Sequence, residues 1–165
     1  MSPVAIILIV VGALVVLAIA GVGEFAAIGM YGARRYINTA KEAEGRTSAQ
    51  VLALGIVRCA EQETLEGKSE LLPDTAPAVP GSLSDVSGRK YMSSTTDWSA
   101  PAYTCATFAM STPQYFQYQW VKESSTAGVV RAIADFNGDG SADVTFEVPV
   151  TCTGKTCSTG AIAKR

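Results

Sequence analysis

The amino-terminal segment constrains the fold most, because the first 33 residues contain a single charged side chain, Glu24. Residues 4–22 form an apolar run, and a helix of about 20 apolar residues crosses the core of a bilayer. A secretory signal peptide would place basic residues before a shorter apolar run and a small-residue cleavage site after it. Here no Lys or Arg precedes the run, and no proline separates it from residues 23–41. The sequence therefore predicts a membrane-spanning helix within residues 1–33 that continues into a head domain formed by residues 34–165.

Composition limits what the head domain can do. Its length suits one small domain, and the whole chain carries a net charge of −2 without any basic run, so we expect no binding to nucleic acid. The sequence contains no His, which removes the commonest general base and most types of zinc site. No hydroxyl with an activating partner and no pair of acids is recognisable, so we expect that the protein is not an enzyme.

Residues spaced by three and four positions continue the predicted helix beyond the apolar run. One helical face consists of Tyr36, Ala40, Ala43, Thr47, Val51 and Leu54. Beyond Ala49 the apolar arc widens to include Leu52 and Ile56, which predicts that this half is buried under a sheet. Gly67 favours a helix end near residue 66, so the helix would extend from about residue 3 to residue 66.

In the second half of the chain, apolar and polar residues alternate with a period of two. Residues 72–88 contain three prolines and predict a surface loop. Four strands are then predicted, at residues 103–110, 114–122, 128–135 and 142–150. Short connections between successive strands favour an antiparallel meander. The expected fold class is α+β, with a long amino-terminal helix packed on a four-stranded antiparallel sheet.

Four cysteines predict two disulfides in an oxidising compartment, because an even count in a small domain behind a membrane anchor is typical of secreted folds. Three pairings are possible. The short spacing from Cys152 to Cys157, with Gly and Thr between them, favours a local loop and leaves Cys59 to join Cys105. That second bond would tie the helix to the sheet. A metal site is the alternative, although the chain has neither His nor a Cys-x-x-Cys pair.

Residues 135–143, which we call the aspartate loop, have the sequence Asp-Phe-Asn-Gly-Asp-Gly-Ser-Ala-Asp. Alternating oxygen-bearing side chains with Gly at the sixth place match the first nine places of a calcium-binding loop. The candidate ligands are Asp135, Asn137, Asp139 and Asp143. Phe146 stands where a bidentate Glu belongs, and strands flank the loop, so it is not an EF-hand. Asn-Gly and Asp-Gly also form hairpin turns without metal, so a structural Ca²⁺ site and a polar turn are both possible.

Several short motifs resemble type IV pilins and type II pseudopilins. Residues 25–36 and the Ala-Lys-Glu-Ala-Glu run at 40–44 are similar to the end of the apolar helix in those proteins. Residues 88–91 and 111–118 resemble pilin-like chains of delta-proteobacterial type. The resemblance implies a structural subunit of a pilus or secretion filament, anchored by its helix and assembling through that helix with other copies or related subunits. It implies an inner-membrane protein with a periplasmic head, displayed at the cell surface when assembled.

Charges near the anchor bear on its placement. Glu24 fits either the membrane interface or a buried cationic partner, such as the amino terminus of a neighbouring subunit. Arg34, Arg35 and Lys41 would by themselves hold the head in the cytoplasm, whereas the cysteines and the resemblance favour the outside. The alternative function is a monomeric, membrane-tethered binding domain outside the cytoplasm, with a calcium-stabilised loop and Trp98 near a ligand surface.

Overall fold

The computed structural model describes residues 2–4, 11–12, 36–62 and 72–165. Its internal contacts divide the chain into two units, residues 1–40 and residues 41–165. In the first unit the described residues 3–4, 11–12 and 36–40 are helical. Most of the predicted membrane-spanning segment, including Glu24, and the predicted helix end at residues 63–67 lie outside the described residues. Among the residues described, no helix has both the length and the apolar character needed to cross a membrane.

The second unit is an α+β domain, as the sequence predicts. The described part of helix α1 covers residues 36–62, of which residues 41–62 belong to this unit, and a short helix α2 covers Pro101–Cys105. Two 3₁₀ turns, Leu83–Asp85 and Thr95–Trp98, precede α2. The strands are β1 (Gln117–Lys122), β2 (Ala127–Ala134), β3 (Val144–Thr153), β4 (Thr156–Thr159) and β5 (Ala163–Lys164). The sheet order is β1-β2-β3-β4, β5 also pairs with β3, and all pairs are antiparallel.

Helix α1 lies close against the rest of the domain because glycines stand at its contact points. A Cβ atom on Gly45 would lie 2.5 Å from the ring of Phe116, just before β1. A Cβ atom on Gly55 would lie 2.5 Å from the carbonyl oxygen of Ala106, just after α2. Between and beyond them the inner face of the helix carries fully buried apolar residues, namely Ala49, Leu52, Ala53, Ile56, Cys59 and Ala60.

The helical face that begins at Tyr36 in the sequence pattern is not the buried one. Tyr36 is 77% exposed, Val51 49% and Leu54 48%. The residues of this face within the second unit, Ala43, Thr47, Val51 and Leu54, point to solvent, and we call them the outer face of α1. The inner face is buried because Gly45 lets the helix backbone approach the ring of Phe116 and Gly55 lets it approach the backbone of Ala106.

The first predicted strand, at residues 103–110, is wrong. Pro101 occupies the first position of α2, where its fixed φ angle favours a helix, and Tyr103 is fully buried within that helix. Thr107 ends the turn with a φ angle of 53°, and the amide of Phe108 donates to the carbonyl of Tyr103 at 3.0 Å. The other three predicted strands correspond to β1, β2 and β3, and β4 and β5 complete the sheet.

Residues 72–88 contain no strand, as predicted, but they contribute to the core as well as to the surface. Leu72, Ala76 and Val79 are buried. The backbone amides of Ala76 and Val79 donate to carbonyls of β1, at 3.1 Å to Trp120 and at 2.8 Å to Tyr118. The segment therefore covers the free edge of β1, which would otherwise expose unpaired backbone groups.

Candidate functional site

Both disulfides have the predicted pairing. Cys59 of α1 bonds to Cys105 at the end of α2, with Cα atoms 5.4 Å apart. The bond therefore ties α1 to a second helix rather than to the sheet. Cys152 and Cys157 stand directly opposite each other on β3 and β4 and close the hairpin between these strands.

Asp135 is the buried centre of the aspartate loop, which connects β2 to β3. Its side chain has no exposed surface. Oδ1 accepts a hydrogen bond from the amide of Gly138 at 2.7 Å, and Oδ2 accepts from the amide of Gly140 at 2.8 Å and from the Ser87 hydroxyl. Gly138 and Gly140 have φ angles of 80° and 86°, which residues with a side chain rarely adopt. The glycines thus let the loop turn its amides toward one carboxylate.

The other three predicted ligands face one another around the exposed part of the loop. Asp143 Oδ2 accepts from the amides of Phe136 at 2.6 Å and Asn137 at 3.0 Å. The Asn137 side-chain amide donates to Asp139 Oδ2 at 3.0 Å and to Asp143 Oδ1 at 3.2 Å. The structure therefore joins three of the four candidate ligands, Asn137, Asp139 and Asp143, whereas Asp135 is turned to the amides of Gly138 and Gly140 and to Ser87.

This arrangement satisfies the carboxylates without a metal ion. Within the described part of the chain, no three His, Cys, Asp or Glu side chains converge in a way that could hold a metal. The hydrogen bond from Ser87, followed by those from the amides of Gly140 and Gly138, lowers the pKa of Asp135. A lowered pKa in the folded state means that the carboxylate contributes stability above the ordinary aspartate range and loses it as the pH falls through the lowered value. Calcium binding stays a prediction.

We predict that millimolar Ca²⁺ raises the melting temperature of the protein, because a cation held only by the folded loop stabilises it by mass action. Asp139→Ala should remove this increase while changing the melting temperature in chelator little, because Asp139 is exposed and accepts only local hydrogen bonds. Thermal melts with Ca²⁺ and with chelator, for both proteins, test this. Equal melting temperatures of the native chain in the two buffers would leave the loop as an ordinary polar turn.

A cluster of cations and aromatic rings lies beside the aspartate loop and was not predicted. The ammonium of Lys41 lies 4.6 Å from the ring centre of Tyr115 and 5.0 Å from that of Phe136. The ammonium of Lys90 lies 4.8 Å from the same Tyr115 ring. The backbone amide of Tyr115 donates to the carboxylate of Glu44 at 2.8 Å. These residues come from separate segments of the chain, so their spacing in the sequence does not indicate that they meet in the fold.

Glu44 is half-buried where α1 meets the sheet, and its surroundings shift its pKa. Burial raises the pKa of the carboxyl, and the hydrogen bond from Tyr115 and the charge of Lys90 offset this only in part. Burial also raises the pKa of the neighbouring Tyr118 phenol above its ordinary value. Because the folded state binds the Glu44 proton more tightly than the unfolded chain, the stability that the proton provides is present at acidic pH. It is lost as the pH rises through the raised pKa.

We therefore predict that Glu44→Gln raises the melting temperature at neutral pH and leaves it unchanged at pH values below the ordinary glutamate range. The Gln oxygen can still accept from the Tyr115 amide, so the variant removes the buried charge without removing the hydrogen bond. Melting curves across this pH range provide the measurement, with Glu123→Gln at an exposed position as the control. A Glu44→Gln variant that melts lower than the native chain at neutral pH would contradict the prediction.

Trp98 is a core residue and not an exposed binding surface. It is 3% exposed, and its Nε1 donates to the Ser93 hydroxyl at 3.0 Å. The rings of Tyr103 and Phe108 meet it edge-on, with ring centres 5.0 and 5.2 Å from that of Trp98. An open cavity of about 260 Å³ lies next to this aromatic group. Little of the Trp98 ring is accessible from it, so a ligand could not stack on the ring without rearrangement.

Comparison of the chain with family models, with curated proteins and with solved structures found no match. The resemblance to pilins therefore rests on the short sequence motifs and enters the function only as a proposal.

Proposed function

We propose that this protein is a structural subunit of a type IV pilus or of a related pseudopilus or secretion filament. In this proposal the apolar residues 4–22 hold the chain in the inner membrane, and residues 41–165 form a head on its outer side. The subunits assemble through their amino-terminal helices. The two disulfides support a head that folds in an oxidising compartment.

The outer face of α1 is the observation that carries the proposal. Helix α1 buries one side on the sheet, yet Val51 and Leu54 on the opposite side remain about half exposed. Covering such side chains is favourable by roughly 25 cal/mol per Å² of apolar surface removed from water. In the sequence, small residues such as Gly12 and Ala18 punctuate the apolar run and would let neighbouring helices approach closely in the membrane. In an assembled filament, neighbouring subunits would cover the outer face of α1 and would pack against the small residues of the apolar run.

Photo-crosslinking in cells tests this assembly. A photo-crosslinking amino acid at position 51 or 54 is expected to give a ladder of oligomers of this chain or of related subunits. The same amino acid at position 155, in the exposed turn between β3 and β4, is the matched control and should give little cross-linked oligomer. Only monomers from positions 51 and 54 would favour the alternative function, a monomeric tethered binding domain.

We further predict that deleting residues 1–30 releases a soluble, folded head. Residues 41–165 form their own compact unit with a complete core, so the fold of the head does not depend on the deleted segment. Size-exclusion chromatography and circular dichroism under oxidising conditions provide the measurement, and the full-length chain, expected in the membrane fraction, is the control. An aggregated or unfolded fragment would show that the chain does not divide into an anchor and a head.

A further inference from the structure

Asn137 and Gly138 form an exposed pair with a known chemical liability. In an Asn-Gly sequence the backbone nitrogen of the glycine can attack the side-chain carbonyl carbon of the asparagine. The new bond closes a succinimide ring and releases the side-chain nitrogen as ammonia. Water then opens the ring to give aspartate or isoaspartate. Glycine allows this reaction best because it lacks a side chain that would hinder the approach of its nitrogen.

In the folded loop, both reacting groups are held by hydrogen bonds. The attacking nitrogen of Gly138 directs its proton to Asp135 Oδ1 at 2.7 Å. The Asn137 side chain donates to Asp139 and Asp143, and its Oδ1 accepts from the Asp139 amide at 2.9 Å. Ring closure requires the Gly138 nitrogen to lose its proton and the Asn137 side chain to rotate, so all of these bonds oppose it.

Asp135 is itself held from outside the loop. The Ser87 hydroxyl donates to its Oδ2, and the Gly88 amide donates to its carbonyl oxygen at 2.8 Å. Gly138 also lies against Gly88, since a Cβ atom on Gly138 would be 3.8 Å from the Gly88 Cα. The position of Asp135 beside the Gly138 nitrogen is therefore held by a segment whose Ser87 lies 48 positions earlier in the chain.

We propose that Asp135 protects Asn137 from deamidation and that Asn137 becomes a modification site only when the aspartate loop opens. The reaction would add a carboxylate to a loop that already holds Asp135, Asp139 and Asp143. The isoaspartate product would also lengthen the backbone by one carbon and prevent the original hydrogen bonds from re-forming. Loop opening would thus leave a permanent change of charge and shape at this end of the sheet. This protection requires neither bound calcium nor filament assembly.

The test compares rates of deamidation at Asn137, measured by peptide mass spectrometry in mildly alkaline buffer. The full chain is kept in detergent with chelator throughout, so that no cation contributes. A synthetic peptide of residues 133–145 gives the unprotected rate. We expect the folded chain to react at least about tenfold more slowly than the peptide, because reaction needs a locally opened state. Equal rates in the folded chain and the peptide would overturn the proposal.

Two substitutions assign the protection to Asp135. Asp135→Ala should raise the rate in the folded chain toward that of a peptide with the same substitution. Asp135→Asn is the milder variant, because it keeps an oxygen for the Gly138 amide but turns a donor toward Gly140 or Ser87, and it should give an intermediate rate. Asp74→Ala, an exposed acid paired with Lys122, is the matched control and should react like the native chain. If either Asp135 variant remains folded by circular dichroism and reacts no faster than the native chain, Asp135 is not the protecting group.

Discussion

Replacing Trp120 by Ala is expected to lower the free energy of unfolding by about 3–5 kcal/mol, the range for removing a large aromatic side chain from a core. Trp120 is fully buried on β1, and its ring lies against Gly128 of β2, where there is no room for a side chain. Its Nε1 donates to the carbonyl of Pro73 at 2.9 Å. The substitution therefore leaves both a cavity and an unpaired acceptor on the segment that covers the edge of β1.

Two further variants separate these contributions. Trp120→Phe keeps much of the ring volume but loses the hydrogen bond to Pro73, so it should cost less than Trp120→Ala. Met92→Ala, at a side chain that is 60% exposed, should change stability by no more than about 0.5 kcal/mol. Chemical denaturation can be followed through the fluorescence of Trp98, which remains in every variant. An Ala variant as stable as the Met92 control would mean that the sheet does not depend on this contact.

The strands could be predicted where buried and exposed side chains alternate strictly along the sequence. Phe116, Tyr118 and Trp120 lie two positions apart, and all three are fully buried in the structure. β4 and β5 have no such pattern, because they are short, largely polar and exposed. They pair with β3 because the turn after Thr153 and the disulfide hold the chain beside it. Strand formation there results from tertiary contacts rather than from side-chain alternation.

Two properties of the helices depend on contacts that the sequence pattern does not contain. The sequence of α2 contains Tyr and Thr, which favour strands, but Pro101 and the bond from Cys105 to Cys59 fix it as a helix. On α1, the predicted burial of Leu52 and Ile56 is confirmed, but apolar spacing did not separate their face from the exposed face of Val51 and Leu54, because hydrophobicity gives no weight to Gly45 and Gly55. These glycines decide which side of the helix approaches the sheet. Close backbone approach is a tertiary property that a periodicity argument does not contain.

The aspartate loop shows the same limit at a candidate site. Its residue types and their spacing identify the loop and three side chains that bond to one another in the structure, Asn137, Asp139 and Asp143. They do not identify Ser87, which donates to Asp135 from 48 positions earlier in the chain. Nor do they show that the carboxylates already accept hydrogen bonds from the loop amides. Sequence motifs therefore located the loop, while its electrostatic balance depends on a segment that only folding brings near.

Removing the disulfide between Cys59 and Cys105 is expected to lower the free energy of unfolding by about 4 kcal/mol, because the chain-entropy cost of an open loop grows with its length. This bond closes a separation of 46 residues, whereas the bond between Cys152 and Cys157 closes only 5. The same relation gives about 2 kcal/mol for the shorter loop. The longer loop also joins α1 to α2, so its loss should loosen the contact at Gly55 as well.

Double Cys→Ala variants of each pair, compared by chemical denaturation, measure the two contributions, and Ala avoids leaving a polar hydroxyl in the buried position of Cys59. Non-reducing peptide mapping of the native chain must first find Cys59 joined to Cys105 and Cys152 joined to Cys157. A variant lacking the Cys152–Cys157 bond that is destabilised more than one lacking Cys59–Cys105 would contradict the expectation. Stability would then depend more on keeping β4 beside β3 than on restricting the unfolded chain. In that case the covalent link between α1 and α2 would matter less than the packing of α1 on the sheet.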